Sequence, residues 1–200
     1  MSTPEDASDD ELMPRIAAGD REAFAALYQR RRLDVYRFAL HMTGSAAAAD
    51  DVTQDVFVAV IAAASRYVAG RSGVVPWLLG IARNHARRVR DRGARSVSLA
   101  DGAGDAAASF SVQGDPLDAL VRERNLTAIR LALRSLPGRY REVVVLCDLQ
   151  ELSYADAGAA VGCAVGTIRS RLHRGRAMLA ARLRRGIADE ERTFTKMIRT

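Results

Sequence analysis

Apolar residues recur at three- and four-residue spacings along most of the 200-residue chain, and no apolar–polar alternation of strand length lies between hairpin turns. This periodicity predicts helices throughout. Asp10 to Ala18 reads as a short helix stopped by Gly19. Asp20 can cap a long helix to about Met42, with Phe24, Leu27, Tyr28, Val35, Phe38 and Met42 as its apolar stripe and Thr43-Gly44 closing it. From about Ala46 to Ser65, Val52, Val56, Phe57, Val60 and Ile61 are expected on one side and Asp50, Asp51, Gln54 and Asp55 on the other. After the glycine-containing loop YVAGRSGVVP a fourth helix is expected from about Val75, with Pro76 suited to its first turn. It starts apolar and ends basic.

The pattern lapses over residues 93–118, which are rich in Gly, Ala, Ser and Asp and read as a flexible linker. Amphipathic spacing resumes from Leu120 to Leu136, stops at Pro137-Gly138, and returns from Arg139 to about Asp148 around Val143-Val144-Val145-Leu146. The stretch Ser153–Arg185 then outlines a helix-turn-helix. Ser153 and Asp156 form a capping-box pattern, Gly162 supplies the turn, and the chain restarts near Val165 with Ile168, Leu172 and Leu179 on one buried face. The expected architecture is all-α: two small helical domains, residues 10–92 and 119–185, joined by the linker and flanked by tails 1–9 and 186–200.

Charge sharpens this picture. The net charge is +6 with a pI near 10.0, but residues 1–25 carry seven acids against two bases. Residues 65–95 carry eight bases and one acid, and residues 165–186 carry seven arginines and no acid. A helix face made for solubility usually mixes signs. The second helix of the helix-turn-helix, with Arg169, Arg171, His173, Arg174 and Arg176, therefore suits DNA phosphates and base edges better than water alone. Two basic blocks suggest two contacts on one long polyanion, and the acidic N-terminal segment is expected to cover one of them.

Other chemistries find little support. No stretch approaches the length of a membrane span, and the N-terminus lacks the basic and apolar regions of a signal peptide, which predicts a cytoplasmic protein without membrane insertion. Cys147 and Cys163 fall at apolar positions outside any metal-ligand spacing, and His41, His85 and His173 are scattered, so no metal and no cofactor is expected. Phosphate-loop, dinucleotide, zinc-protease and serine-nucleophile motifs are absent. No enzyme and no small-molecule substrate is expected.

Four motifs in order, D-D-V-T-Q-D-V-F at Asp50–Phe57, W-L-x-x-I-A-R-N at Trp77–Asn84, L-P-x-x-x-R-E-V at Leu136–Val143, and L-S-Y-A-D with V-G-T-I-R-S-R-L-H-R-G-R, resemble those of bacterial extracytoplasmic-function sigma factors. The resemblance covers family region 2 and family region 4. It implies a non-catalytic promoter-specificity factor whose partners are core RNA polymerase, promoter DNA and an anti-sigma factor. Core polymerase would be met by Asp51, Gln54 and Asp55, Phe57 reading rather as core. The −10 promoter box would be melted by Arg66, Arg71, Trp77, Asn84, Arg87 and Arg88, Trp77 being equally suited to the core. The −35 box would be read by Thr167, Arg169, Ser170, Arg171, His173, Arg174 and Arg176. Ala157 stands where the family usually has a larger aliphatic, and Ala164 where a serine often caps the recognition helix. A stand-alone helix-turn-helix regulator is the alternative reading.

Overall fold

The computed structural model describes residues 3–97, apart from 5 and 71, and 116–198, with side chains over 3–92, with the same two exceptions, and 124–186. Eight α-helices carry the described residues, and no strand occurs among them. Helix α1 (Asp9–Ala17) opens on a capping box: Ser8 Oγ accepts from the Glu11 amide, and the Glu11 carboxylate accepts from the Ser8 amide. Helix α2 (Arg21–Thr43) is capped by Asp20, which accepts from the Glu22 and Ala23 amides, and ends at Gly44 with φ of 75°. Helices α3 (Ala46–Ala63) and α4 (Val74–Val97) complete the first unit.

Leu12, Met13, Leu27, Val35, Phe38, Val52, Val56, Val60, Leu78 and Leu79 are all buried at its centre, each large side chain contributing roughly 1.5–3 kcal/mol. Two expected stripe members depart. Tyr28 is half out of the core, holding an edge-to-face contact with Phe57 at 4.8 Å. Ile61 is 59% exposed. It follows buried Val60 by one residue, and a 3.6-residue turn carries it onto the stripe of Asp51, Gln54, Asp55 and Val58.

The second unit comprises α5 (Pro116–Arg134), α6 (Gly138–Val144), α7 (Tyr154–Val161) and α8 (Val165–Ile198). The helix expected over Arg139–Asp148 changes pitch at Val145, and residues Val145–Leu149 form a π-helical turn. Arg141, Glu142, Val143 and Val144 of α6 and Val145 and Leu146 of the turn are all buried, so the end of α6 is enclosed on every side. The wide turn brings Asp148 round towards α8, where it meets Arg176. Of the expected linker, α4 already takes in the residues to Val97 and α5 those from Pro116, while residues 98–115 lie outside the described residues.

The two units also pack against one another, α7 on α4 and α5 on α2. Arg141, buried, donates to the Met42 carbonyl of α2 at 2.9 Å and to the Leu136 carbonyl at 3.1 Å, and also to the Arg134 carbonyl. Beside it Arg83 Nε donates to Glu142 at 2.8 Å, the two side chains only 15% and 4% exposed. A Cβ on Gly80 would stand 3.2 Å from the Ala160 carbonyl oxygen. The absence of a side chain at Gly80 thus lets α7 lie close on α4 at Ala160. Ala157 is fully buried.

Candidate nucleic-acid interface

Helix α8 is the outward face of the second unit. Ser153 Oγ accepts from the Asp156 amide at the start of α7, and Gly162 turns the chain with φ of 73°. Only half of the expected capping box forms, because the Asp156 carboxylate accepts from the Ser153 hydroxyl instead of a backbone amide. Ile168 and Leu172 are buried, and Leu179 is half-buried against the core. Opposite them Thr167, Ser170, His173 and Arg174 follow the helical period across the outer face, with Arg171 half-buried at one flank.

Arg169 and Arg176, seven residues apart, share the other flank. Arg169 lies over the Tyr154 ring at 5.8 Å, and Arg176 makes a two-point pair with Asp148, Nη2 to Oδ1 at 2.5 Å and Nε to Oδ2 at 3.1 Å. Arg174 contacts the Tyr140 hydroxyl, and this contact, with Arg139 nearby, lowers the phenol's pKa. Among the described residues no carboxylate pairs with Arg169, Arg171 or Arg174. The outer face of α8 therefore keeps a single sign of charge at ordinary pH.

The second basic surface lies on α4 and the loop before it. Trp77, Asn84 and Arg88 fall at i, i+7 and i+11 on one face, Asn84 and Arg88 exposed and Trp77 half-buried. Trp77 meets Tyr67 edge-to-face at 5.5 Å, so the ring serves core and surface together. Arg87 is exposed on the stripe of Gly80 and Arg83, beside the seam with α7. Arg66 is exposed, and Arg71 lies outside the described residues. The Tyr67 hydroxyl donates to the Asp10 carboxylate and to the Ser72 carbonyl, pinning the loop to α1; burial and then Asp10 push its pKa up. Of the other N-terminal acids, Asp9 pairs with Arg30 at 3.3 Å and Arg31 at 2.5 Å on α2, and Asp20 pairs with Arg15 at 2.7 Å.

On α3, Asp51, Gln54 and Asp55 are exposed, and Val58 and Ile61, 61% and 59% exposed, continue the same face. Phe57 is buried. His85 Nδ1 lies 3.2 Å from an Asp55 oxygen, and Asp55, His85, Arg88 and Arg92 line one shallow pocket, so the acidic stripe and the basic helix adjoin. Sequence reasoning missed Val58, Ile61, Arg83, Glu142 and Asp148. The R-E step of the L-P-x-x-x-R-E-V motif was the available signal for Glu142, since a charged pair inside an apolar run needs buried partners.

Fold and surfaces define a two-unit helical DNA-binding protein with a helix-turn-helix. Residues 27–95 match Sigma-70 region 2, and residues 126–179 match Sigma-70, region 4. The chain is 37% identical over 188 residues to the ECF RNA polymerase sigma factor SigC of Mycobacterium tuberculosis, covering 88% of this chain and 93% of that protein. It is 30% identical over 176 residues to the ECF RNA polymerase sigma factor SigW of Bacillus subtilis, covering 85% and 94% respectively. Among solved structures it resembles the sigma factor RpoE of Bartonella quintana in complex with the anti-sigma factor NepR, with a TM-score of 0.65, 28% identity, and 80% of this chain and 96% of that chain covered. CnrH in complex with the cytosolic domain of CnrY gives a TM-score of 0.63 at 26% identity over 86% and 95% of the two chains. The chain belongs to the extracytoplasmic-function RNA polymerase sigma factors of the sigma-70 family.

Proposed function

We propose that the chain confers promoter specificity on core RNA polymerase without catalytic activity of its own, working in the cytoplasm where polymerase meets the chromosome. Asp51, Gln54 and Asp55, with Val58 and Ile61 beside them, form the face that docks on core polymerase: acids supply orientation and the two aliphatics supply apolar area. Arg66, Arg71, Trp77, Asn84, Arg87 and Arg88 engage the −10 box, an aromatic at the loop edge receiving an unstacked base while arginines hold phosphates. Thr167, Arg169, Ser170, Arg171, His173 and Arg174 meet the −35 box, arginine being shaped for bidentate bonds to guanine. The observation that carries this reading is the outer face of α8 over Thr167–Arg174, basic and with no pairing carboxylate among the described residues, on the second helix of a helix-turn-helix.

The seam between the units opens when both boxes are held, because α7 lies on α4 and one packed body cannot place α4 and α8 at two separate positions along DNA. An anti-sigma protein is a further proposed partner, supported by the RpoE–NepR likeness. Run-off transcription with purified core polymerase is the test: specific transcripts are expected only when the chain is added. A stand-alone regulator would leave initiation by core polymerase without new start sites.

A further inference from the structure

We infer that Arg176 is a positioning residue that braces the recognition helix, and that Asp148 is its partner in this role. The inference rests on the reading of α8 as the −35 reader and refines it by moving one arginine out of the DNA-contacting set. Three observations carry it. Arg176 engages Asp148 through two nitrogens at 2.5 and 3.1 Å, so a two-point pair fixes direction as well as distance. Asp148 sits on the π-helical turn that follows α6, the turn that departs from the regular helix expected over Arg139–Asp148. Gly175, next to Arg176, marks a close approach of α8 to α6: a Cβ there would stand 2.8 Å from Val144 Cγ2 and 3.4 Å from the Tyr140 carbonyl oxygen.

The brace therefore spans the point about which α8 would pivot on α6. Arg176 also lies on the flank of α8, not on the outer stripe of Thr167, Ser170, His173 and Arg174. A pair with balanced charge adds no net attraction for DNA phosphates. Its contribution is to hold the angle at which the outer stripe meets the groove.

The test uses holoenzyme made with full-length chain and a duplex promoter selected from a randomised pool by the wild-type holoenzyme, titrated across a salt series. Asp148→Ala and Arg176→Ala should each weaken binding about three- to fivefold, and the double variant should be no weaker than either single one, as expected for two groups acting as a unit. The salt slope should stay at the wild-type value in all three, because no phosphate contact is lost. Tighter binding by Asp148→Ala, or a salt slope reduced by about one in Arg176→Ala, would show a released or lost phosphate contact and overturn the brace. Wild-type affinity in both single variants would also overturn it. Arg174→Ala separates this from the reading beneath: if that variant too binds at wild-type strength, the assignment of α8 as the reader fails and the brace fails with it. Unchanged co-purification with core polymerase and an unchanged helical circular-dichroism spectrum guard against misfolding in each variant.

Discussion

Helices α4 and α8 are both arginine-rich and amphipathic, yet the molecule uses them differently. Helix α8 buries one face against its own unit and leaves the opposite face open, with Arg169 over the Tyr154 ring, Arg174 at the Tyr140 hydroxyl and Arg176 on Asp148. Helix α4 buries one face in the first unit and a second stripe, Gly80 and Arg83, against α7 and α6 of the other unit. Trp77, Asn84 and Arg88 lie off that stripe and Arg87 is exposed at its edge, which keeps these four side chains clear for the proposed DNA contact. Arginine content alone thus does not tell a nucleic-acid face from an inter-unit seam; the partners do. Arg83 opposite the buried Glu142, and Arg141 on the Met42 carbonyl, belong to the seam, whereas Arg169, Arg171 and Arg174 pair with no carboxylate among the described residues.

The largest effect expected concerns the docking face that neither basic helix supplies. Asp51→Arg with Asp55→Arg should abolish co-purification with core polymerase while leaving the protein folded, because exposed charges contribute little to stability. Next comes the seam. Glu142→Ala strands Arg83 beside a largely buried site and should destabilise the closed chain by about 3 kcal/mol in a denaturant titration. Glu142→Ala with Arg83→Ala should recover much of that loss, since no unpaired charge remains. Gly80→Leu sharpens the comparison from the other side: it forces α7 away from α4 without altering Asn84 or Arg88, so two dyes placed on the two units should move apart in energy transfer.

A smaller effect is expected on α8. Arg174→Ala should weaken promoter binding by about 1–3 kcal/mol if the side chain makes a bidentate base contact, with the loss confined to one position of the box. A phosphate contact would lower affinity for all sequences and flatten the salt dependence. The smallest effect is a pH dependence. Burial, and then Arg130, hold the His41 pKa below its ordinary 6.5. The unfolded chain therefore takes up this proton at higher pH than the folded one, and stability is full above 6.5 and falls as pH drops below it. His41→Gln should flatten that acid slope in thermal melts.

Much of this was legible in sequence because it follows from local chemistry. Asp20, Ser153, Gly44 and Gly162 set helix ends through caps and positive φ, and the periods of α2 and α3 place Leu27, Phe38, Val52 and Val56 inside. What was not legible depends on the exact helical angle, on a change of pitch, or on a partner distant in the chain. Ile61 fits the apolar stripe by spacing, but the helical angle puts it with Asp51 and Val58 on the exposed side. The pitch change at Val145 has no local marker, so Asp148 could not be assigned to Arg176. Arg83 looks like one more base in a basic helix until Glu142, 59 residues away, is seen beside it.

The measurement that tests the account most directly compares promoter binding by the isolated chain and by the holoenzyme, on specific and scrambled duplexes. Closed on its seam, the free chain should bind weakly, with salt sensitivity and without sequence preference; sequence-specific binding should appear only when core polymerase holds the two units apart. Tight, sequence-specific binding by the isolated chain would contradict the account and favour a stand-alone regulator.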